Sequence, residues 1–167
     1  MNAKQHLGND VLQAGEGVVD ITPPLGIELS GFHFHPGNER LITGIRQPPS
    51  TRALVLQLKE VETAIVSIEI CAVSPDFVKR VQSQVANQVG ILEENVRICV
   101  THTHSMPTLR YFRQWGSIPP RTYMDVLERS IVQAIEFAKE DLAPAELYVG
   151  KARAVGGNFN RTSETWK

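Results

Sequence analysis

Two histidines, His102 and His104, lie two residues apart in the run VTHTHSMP that covers residues 100–107. If this run continues a strand, the spacing places both imidazoles on one face, with their Cβ atoms about 7 Å apart. That arrangement suits a shared metal ion, or a metal ligand beside a general base. It also fits two structural histidines that bind no metal. The neighbouring hydroxyl groups are expected to orient the imidazole nitrogens, and they belong to Thr101, Thr103 and Ser105.

Three further polar sites are candidates for the same chemistry or for its support. His33 and His35 repeat the spacing in a loop rich in glycine and proline, either as further ligands of one closed site or as histidines in solvent. Glu69 is an acid within an apolar run, which predicts either a carboxylate near the histidines or a strand-end side chain in solvent. Asp20, which precedes the run ITPP, is interpreted as an acid that stabilises a turn.

The strands that must position these residues follow from hydrophobic periodicity. Residues 12–21 predict a strand interrupted by Gly15 and Gly17, and residues 25–50 predict a long loop with little periodicity. The strands that follow this loop are expected at residues 52–58, 63–70 and 95–101, the last of which ends at the histidine motif.

Two amphipathic helices are predicted to pack on these strands. Ser74, followed by proline and aspartate, is a favourable N-cap, and Gly90 fits the C-terminal end of the first helix. The second helix is expected to begin at Thr122, an N-cap with Asp125 at the capping-box position. A last strand is expected at residues 145–153. This order of elements predicts an α/β fold with a mixed β-sheet and at least two packed helices.

The composition argues against several classes of protein. With 42% hydrophobic and 21% charged residues in 167, the chain can form a core. Its 17 basic and 18 acidic residues give a net charge of −1, which argues against a nucleic-acid partner. No apolar run approaches the roughly 18 residues that span a bilayer. No secretory signal is recognised, so a cytoplasmic location is expected, with a secreted or periplasmic location as the alternative. Cys71 and Cys99 are too few for a disulfide scaffold and are predicted to be buried free thiols.

These segments, in this order, resemble the N-terminal part of the neutral/alkaline (non-lysosomal) ceramidase family. The most specific piece is THTHSxP at residues 101–107. The resemblance implies that residues 1–167 are the N-terminal portion of a ceramidase-like catalytic domain, with residues 1–12 flexible. The other matching pieces are AGEGVVDITP at 14–23, LSGF at 29–32, RA at 52–53, VSIE at 66–69 and NRT at 160–162.

The resemblance also implies a reaction and a set of residue roles. The reaction is zinc-dependent hydrolysis of the amide bond of N-acylsphingosine (ceramide), which gives sphingosine and a fatty acid. His102 is then the zinc ligand, His104 the catalytic residue beside the reacting water, and Arg161 a substrate-binding residue. The implied partner is a lipid-like N-acyl amide, and a membrane surface is a further candidate partner for the loop aromatics Tyr111, Phe112 and Trp115.

The sequence departs from the family pattern at three places. Met106 stands where the family usually has glycine, which predicts a less open loop beside the histidines. Glu69 stands where aspartate is usual, and its extra methylene is expected to displace the carboxylate. The remaining zinc ligands of the family, another histidine, a glutamate and a tyrosine, lie in sequence later than Lys167. Because catalytic zinc sites generally use three protein ligands, the chain is expected to carry only part of the site and to be inactive alone.

Two interpretations of function therefore remain. The chain is part of a ceramidase-type amide hydrolase, or it is an inactive ceramidase-like domain with a binding role or none. A metallo-β-lactamase-like hydrolase is rejected, because its Thr-His-x-His motif needs an Asp-His pair shortly afterwards, whereas Ser105 and Met106 follow here.

Overall fold

The computed structural model describes residues 11–32, 37–111 and 116–157. Over these residues the chain forms a five-stranded sheet and two long helices, which confirms the predicted α/β fold with a mixed sheet. Along the chain the elements are β1 (Gln13–Asp20), β2 (Ser50–Leu58), β3 (Val61–Ile68), α1 (Pro75–Gln88), β4 (Val96–Val100), α2 (Arg121–Glu140) and β5 (Ala143–Pro144).

The sheet has the strand order β4-β3-β2-β1-β5 and is antiparallel except for one pair. Strands β3 and β4 run parallel, and α1 makes the connection between them. The helices bury alternate strand residues, so that Ala53, Val55 and Val66 lie in the core. On the opposite face Leu54 and Ile65 keep about two fifths of their surface exposed (39% and 41%). The carboxyl ends of β3 and β4 therefore meet at one edge of a sheet that carries helices on one face.

Helix α1 begins and ends where the sequence predicts. The Ser74 side chain accepts a hydrogen bond from the Phe77 N–H at 3.2 Å, and Pro75 opens the first turn. Gly90 adopts a φ of 83° just after the helix and donates its N–H to the Val85 carbonyl. The apolar stripe of α1 is buried, so this helix holds β4 in place beside β3.

Strand β1 is continuous, so the predicted interruption at Gly15 and Gly17 is wrong. Both glycines face α2, where a Cβ atom on Gly15 would lie 2.1 Å from the Ala138 carbonyl oxygen. A Cβ atom on Gly17 would lie 2.0 Å from the Ala134 carbonyl oxygen. The two glycines therefore allow α2 to pack close to the sheet, and they do not bend the strand.

Helix α2 begins one residue earlier than predicted, and Thr122 is not its N-cap. Pro120 occupies the cap position, and its carbonyl accepts the N–H groups of Tyr123 and Met124. Because the helix starts at Arg121, directly after Pro120, Thr122 lies inside its first turn. Asp125 pairs with Arg121 at 2.7 Å instead of closing a capping box.

The predicted last strand at 145–153 is wrong as well. Strand β5 has two residues, which pair with Gln13 and Ala14 at the start of β1, and Ala145 donates one further hydrogen bond to Leu12. Because β5 runs antiparallel to β1, the residues that follow Ala145 lie beyond the first residue of β1. Within the described residues no helix combines the length and the hydrophobicity that a membrane span requires.

Candidate metal and catalytic site

The histidine pair follows the end of β4, but it does not continue the strand. Thr101 still donates its N–H to the Ile68 carbonyl at 3.1 Å, and His102 then adopts a φ of 59°. A positive φ is uncommon for a residue with a side chain and turns the backbone away from the strand direction. The imidazoles of His102 and His104 nevertheless lie together, with ring centroids 5.1 Å apart and planes at 81°. The predicted pairing is confirmed, whereas the predicted cause, one face of a strand, is wrong.

Each imidazole is held by a backbone carbonyl from a different loop. The Nδ1 of His102 lies 2.9 Å from the Cys71 carbonyl oxygen, and the Nδ1 of His104 lies 2.8 Å from that of Ser30. Since a carbonyl only accepts, each Nδ1 carries a proton, and in the neutral imidazole Nε2 then keeps the lone pair. This is the arrangement that proteins use to orient metal-binding histidines.

At both Nδ1 atoms the hydrogen-bond partner is a backbone carbonyl and not one of the neighbouring hydroxyl groups. The Thr103 hydroxyl accepts the Ser105 N–H at 3.2 Å and so stabilises the turn of the loop itself. The Nδ1 atoms donate to backbone carbonyls, because the loops that contain Ser30 and Cys71 pack against the histidine motif. The N–H of Ser30 reaches the Met106 carbonyl at 3.1 Å, which ties the first of these loops to the same segment.

The loop that contains Ser30 also covers His104, and it depends on a glycine. Gly31 has a φ of 75°, and a Cβ atom there would lie 2.5 Å from the His104 Nδ1. The next residue, Phe32, also has a positive φ, and its ring centroid lies 4.7 Å from that of His104. Arg40 stacks over Phe32 at 5.4 Å and donates to the carbonyls of Gly31 and His104 at 3.0 and 3.4 Å. Arg40 was not predicted from the sequence, because it lies in a loop without periodicity.

Cys71 is the second residue near the histidines that the sequence analysis missed. Its sulfur and one donor nitrogen from each of His102 and His104 all lie within 4.8 Å of one another. Cys71 is fully buried, as predicted, whereas Cys99 is exposed, which contradicts the prediction for that residue. The proximity follows from the parallel pairing of β3 and β4, because Cys71 and His102 come just after these neighbouring strands. The described residues therefore contain a Cys/His group that can hold a metal ion.

Glu69 lies at the carboxyl edge of β3, but its carboxylate is bound elsewhere. One oxygen accepts hydrogen bonds from the Ser50 N–H at 2.7 Å and from the Ser50 hydroxyl at 3.0 Å. The side chain is half-buried and does not belong to the Cys/His group. It forms part of the wall of a cavity that reaches Thr103 and Ser105 of the histidine loop.

This cavity has a volume of about 410 Å³ and lies between the histidine loop and the loop that precedes β2. Met106, which is buried, lines it at the end nearest the histidines. The opposite wall contains Pro23, Leu29, Leu41, Ile42 and Ile45 together with the segment 46–49. An open cavity with both apolar and polar side chains in its walls therefore adjoins the candidate site.

Asp20 has the structural role that was predicted for it. Its carboxylate accepts the Thr22 N–H at 2.6 Å. Hydrogen bonds from the Thr22 side chain and backbone lower the pKa of Asp20. The adjacent Ile21 carbonyl accepts the Tyr123 hydroxyl at 2.6 Å. Burial raises the pKa of the Tyr123 phenol, and the negative charge of Asp20 adds to the shift.

Several predicted site residues lie outside the described part of the chain. They include both histidines of the second pair and the expected substrate-binding arginine, as well as two of the three loop aromatics. Tyr111, the third aromatic, is 70% exposed. These predicted site residues are His33, His35, Phe112, Trp115 and Arg161, and most of the segment 1–12, which was expected to be flexible, also lies outside the described ranges.

The fold and the site define an α/β protein with a Cys/His donor group at the carboxyl ends of two parallel strands. The chain belongs to the neutral/alkaline non-lysosomal ceramidase family, because the family model of its N-terminal region matches residues 12–167. A curated relative is the neutral ceramidase of Mycobacterium tuberculosis (strain ATCC 25618 / H37Rv). It is 26% identical over 163 residues, which cover 91% of this chain and 25% of that protein.

Two solved structures share the fold. The neutral ceramidase from Pseudomonas aeruginosa matches with a TM-score of 0.65 at 21% identity, over 80% of this chain and 22% of that one. A ceramidase complexed with C2 matches with a TM-score of 0.66 at 22% identity, over the same shares of the two chains. The chain thus spans about a quarter of the length of the relatives that it matches.

Proposed function

We propose that this chain supplies part of the active site of a metal-dependent hydrolase of the neutral ceramidase type. The reaction is cleavage of the amide bond of N-acylsphingosine to sphingosine and a fatty acid. Membership of the family supports the reaction class. The observation that carries the proposal is the close pair His102 and His104, whose Nδ1 atoms are both held by backbone carbonyls. Zinc is the proposed metal, since imidazole is a ligand that it favours.

The two histidines have different roles in this proposal. His102 binds zinc through Nε2, because its Nδ1 donates to the Cys71 carbonyl. His104 transfers protons to and from the reacting water and the leaving amine, and the Ser30 carbonyl holds its ring in place for this. When bound, the metal supplies Lewis-acid activation of the water and of the scissile carbonyl.

Substrate binding is proposed to use the cavity and Arg161. The cavity is lined by Ser105 and has aliphatic and proline side chains in its walls beside polar ones. The aliphatic and proline side chains are proposed to contact the acyl chain. Arg161 hydrogen-bonds an oxygen of the substrate. The remaining zinc ligands are proposed to come from other parts of the catalytic domain. The exposed ring of Tyr111 is proposed to contact a lipid surface.

Binding of a soluble short-chain ceramide to the 167-residue chain tests the substrate part of this proposal. Nuclear magnetic resonance is expected to show saturable shifts of amide signals from the cavity wall, among them those of Thr43, Ser105 and Met106. The matched control ligand is sphingosine, which lacks the N-acyl group. If the cavity signals respond to neither ligand, or equally to both, the substrate assignment is wrong, and an inactive domain with another binding role becomes the better interpretation.

A further inference from the structure

We infer that Arg40 is a positioning residue for His104, and that its guanidinium holds the turn at Gly31 and Phe32 over the imidazole. The inference rests on the proposed function, in which His104 transfers protons. It adds a residue that fixes where that imidazole lies and which of its nitrogens keeps the lone pair. Arg40 acts through the turn and the His104 backbone, and it is assigned no contact with substrate or metal.

The Arg40 guanidinium connects the two chain segments that meet at His104. Its Nη1 atom donates to the Gly31 carbonyl at 3.0 Å and to the His104 carbonyl at 3.4 Å. This nitrogen carries two hydrogens, so it has one for each acceptor. Gly31 directly follows Ser30, whose carbonyl accepts the Nδ1–H of His104 at 2.8 Å. One arginine nitrogen therefore fixes the backbone on both sides of the hydrogen bond that orients the ring.

The same guanidinium also covers the side chain that packs on the imidazole. Arg40 lies 5.4 Å above the centroid of the Phe32 ring, which in turn lies 4.7 Å from the centroid of the His104 ring. Phe32 keeps a φ of 63° although 73% of its surface is exposed. Burial therefore does not account for this unfavourable backbone conformation. The contacts with Arg40 and His104 favour it, since a cation is attracted to the face of an aromatic ring.

Backbone hydrogen bonds bring Arg40 to this place independently of its side chain. The Leu29 N–H donates to the Arg40 carbonyl at 2.7 Å, and Glu28 pairs with Leu41 in an antiparallel bridge. The segment that contains Arg40 is thus held beside the chain that leads into the turn. Removal of the guanidinium is therefore expected to release the turn over His104 without separating the two segments.

His102 provides an internal comparison, because a different loop holds its imidazole. Its Nδ1 donates to the Cys71 carbonyl at 2.9 Å, whereas the contacts of the Arg40 guanidinium are with Gly31, Phe32 and His104. Loss of the guanidinium should therefore change the tautomer of His104 and not that of His102. An arginine that only stabilised the fold would leave both tautomers unchanged in the folded protein.

Nuclear magnetic resonance of the histidine ring nitrogens tests the inference on the whole 167-residue chain. Chelation removes metal ions, which would otherwise select a tautomer, and an alkaline buffer keeps the imidazoles neutral. Arg40→Met removes the donors but keeps a long side chain, whereas Arg40→Lys keeps the charge without the planar group. Arg129→Met is the matched control, because it removes an exposed arginine from α2. Spectra of His102→Ala and His104→Ala assign the signals.

The unsubstituted chain is expected to show the Nδ1-protonated pattern for both histidines. In Arg40→Met the two ring nitrogen signals of His104 should move towards each other, as in an imidazole that exchanges between tautomers. The nuclear Overhauser effects between the rings of His104 and Phe32 should weaken in the same variant. Arg40→Lys should show smaller changes of the same kind, because its ammonium group can still donate to a carbonyl. The tautomer of His102 in every Arg40 variant, and that of His104 in Arg129→Met, should be unchanged.

Unchanged His104 signals in folded Arg40→Met would overturn the inference. Equal changes of His102 and His104 would overturn it as well, because Arg40 would then stabilise the whole motif and not one imidazole. Circular dichroism checks folding; if Arg40→Met does not fold, Arg40→Lys decides, and His104 signals identical to those of the unsubstituted chain reject the inference. These measurements involve neither substrate nor metal. The inference can therefore fail while the proposed function, which binding of the short-chain ceramide tests, still stands.

Discussion

The carbonyl oxygen of Ser30 accepts the Nδ1–H of His104 at 2.8 Å, although the two residues are 74 positions apart in the chain. This hydrogen bond determines both the orientation of the imidazole and the nitrogen that keeps the lone pair. The next residue, Gly31, lies so close to the ring that a Cβ atom there would be 2.5 Å from Nδ1 and 2.8 Å from Cε1 of His104. The state of His104 is therefore controlled by a loop that precedes β2 rather than by the strand from which the motif emerges.

Substitution of Gly31 by alanine is predicted to disturb His104 directly. The new Cβ atom would lie 2.5 Å from Nδ1, and the backbone would keep a φ of 75°. We expect a loss of about 1–2 kcal/mol in the free energy of unfolding from the left-handed backbone alone, with more from the collision. The nitrogen resonances of the His104 ring should also lose the pattern of an Nδ1-protonated tautomer.

Gly26→Ala is the matched control for that experiment. Gly26 has a similar φ of 85°, but a Cβ atom there would meet no other atom within 4 Å. It should therefore lose stability through backbone strain alone and leave the ring nitrogen signals of His104 unchanged. Equal effects of the two substitutions on stability and on the His104 signals would contradict a specific contact between Gly31 and the imidazole.

Gly17→Ala is predicted to destabilise the packing of α2 on the sheet. Its Cβ atom would lie 2.0 Å from the Ala134 carbonyl oxygen, which is backbone and cannot rotate away. We expect a loss of about 3 kcal/mol in the free energy of unfolding, the upper part of the usual range for an overpacked site. Urea denaturation measures it, with Gly44→Ala as the control because its Cβ atom would enter open space. A loss below about 0.5 kcal/mol, the usual size for a surface substitution, would mean that α2 can move outward freely.

The sequence predicted the elements well where one chain segment carries its own signal. The Ser74 cap, the apolar stripe of α1 and the end of that helix at Gly90 all follow from local patterns, and the structure confirms them. The final strand failed because pairing at a sheet edge depends on where the partner begins. Residues after Ala145 have passed the start of β1, and no pattern within 145–153 reports that.

The candidate site was predictable in part for the same reason. The spacing of His102 and His104 marked the loop, but the positive φ of His102 that brings the rings together has no local signature. The position of Cys71 depends on the parallel pairing of β3 with β4, which is a long-range contact. The hydrogen bond between Ser30 and His104 joins two loops without periodicity. The motif was therefore predictable from the sequence, whereas the residues that orient it were not.

The hydrogen bond from Thr22 to Asp20 predicts that the free energy of unfolding depends on pH in the acidic range. The pKa of Asp20 is lowered in the folded protein by the hydrogen bonds from Thr22. The charged Asp20 therefore contributes fully to the free energy of unfolding when the pH is above its unfolded-state pKa of about 3.9. This contribution is lost as the pH falls through the lower pKa of the folded state. Asp20→Asn should reduce the slope of unfolding free energy against pH below about 4. Because the carboxyl is almost fully exposed, the change should be small, and urea titrations at several acidic pH values measure it. An unchanged slope would show that Thr22 does not stabilise the charged form.

Hydrolysis of a short-chain fluorescent ceramide by the 167-residue chain alone is predicted to be undetectable with zinc present. In the proposed site this chain supplies one zinc ligand, His102, whereas catalytic zinc sites generally use three protein ligands. The chain alone is therefore expected to hold zinc too weakly to activate water. The assay needs a neutral ceramidase as positive control and a measurement of zinc on the same sample. Clear turnover that disappears in His104→Ala would show that the chain carries a complete site and that another residue supplies the missing ligand.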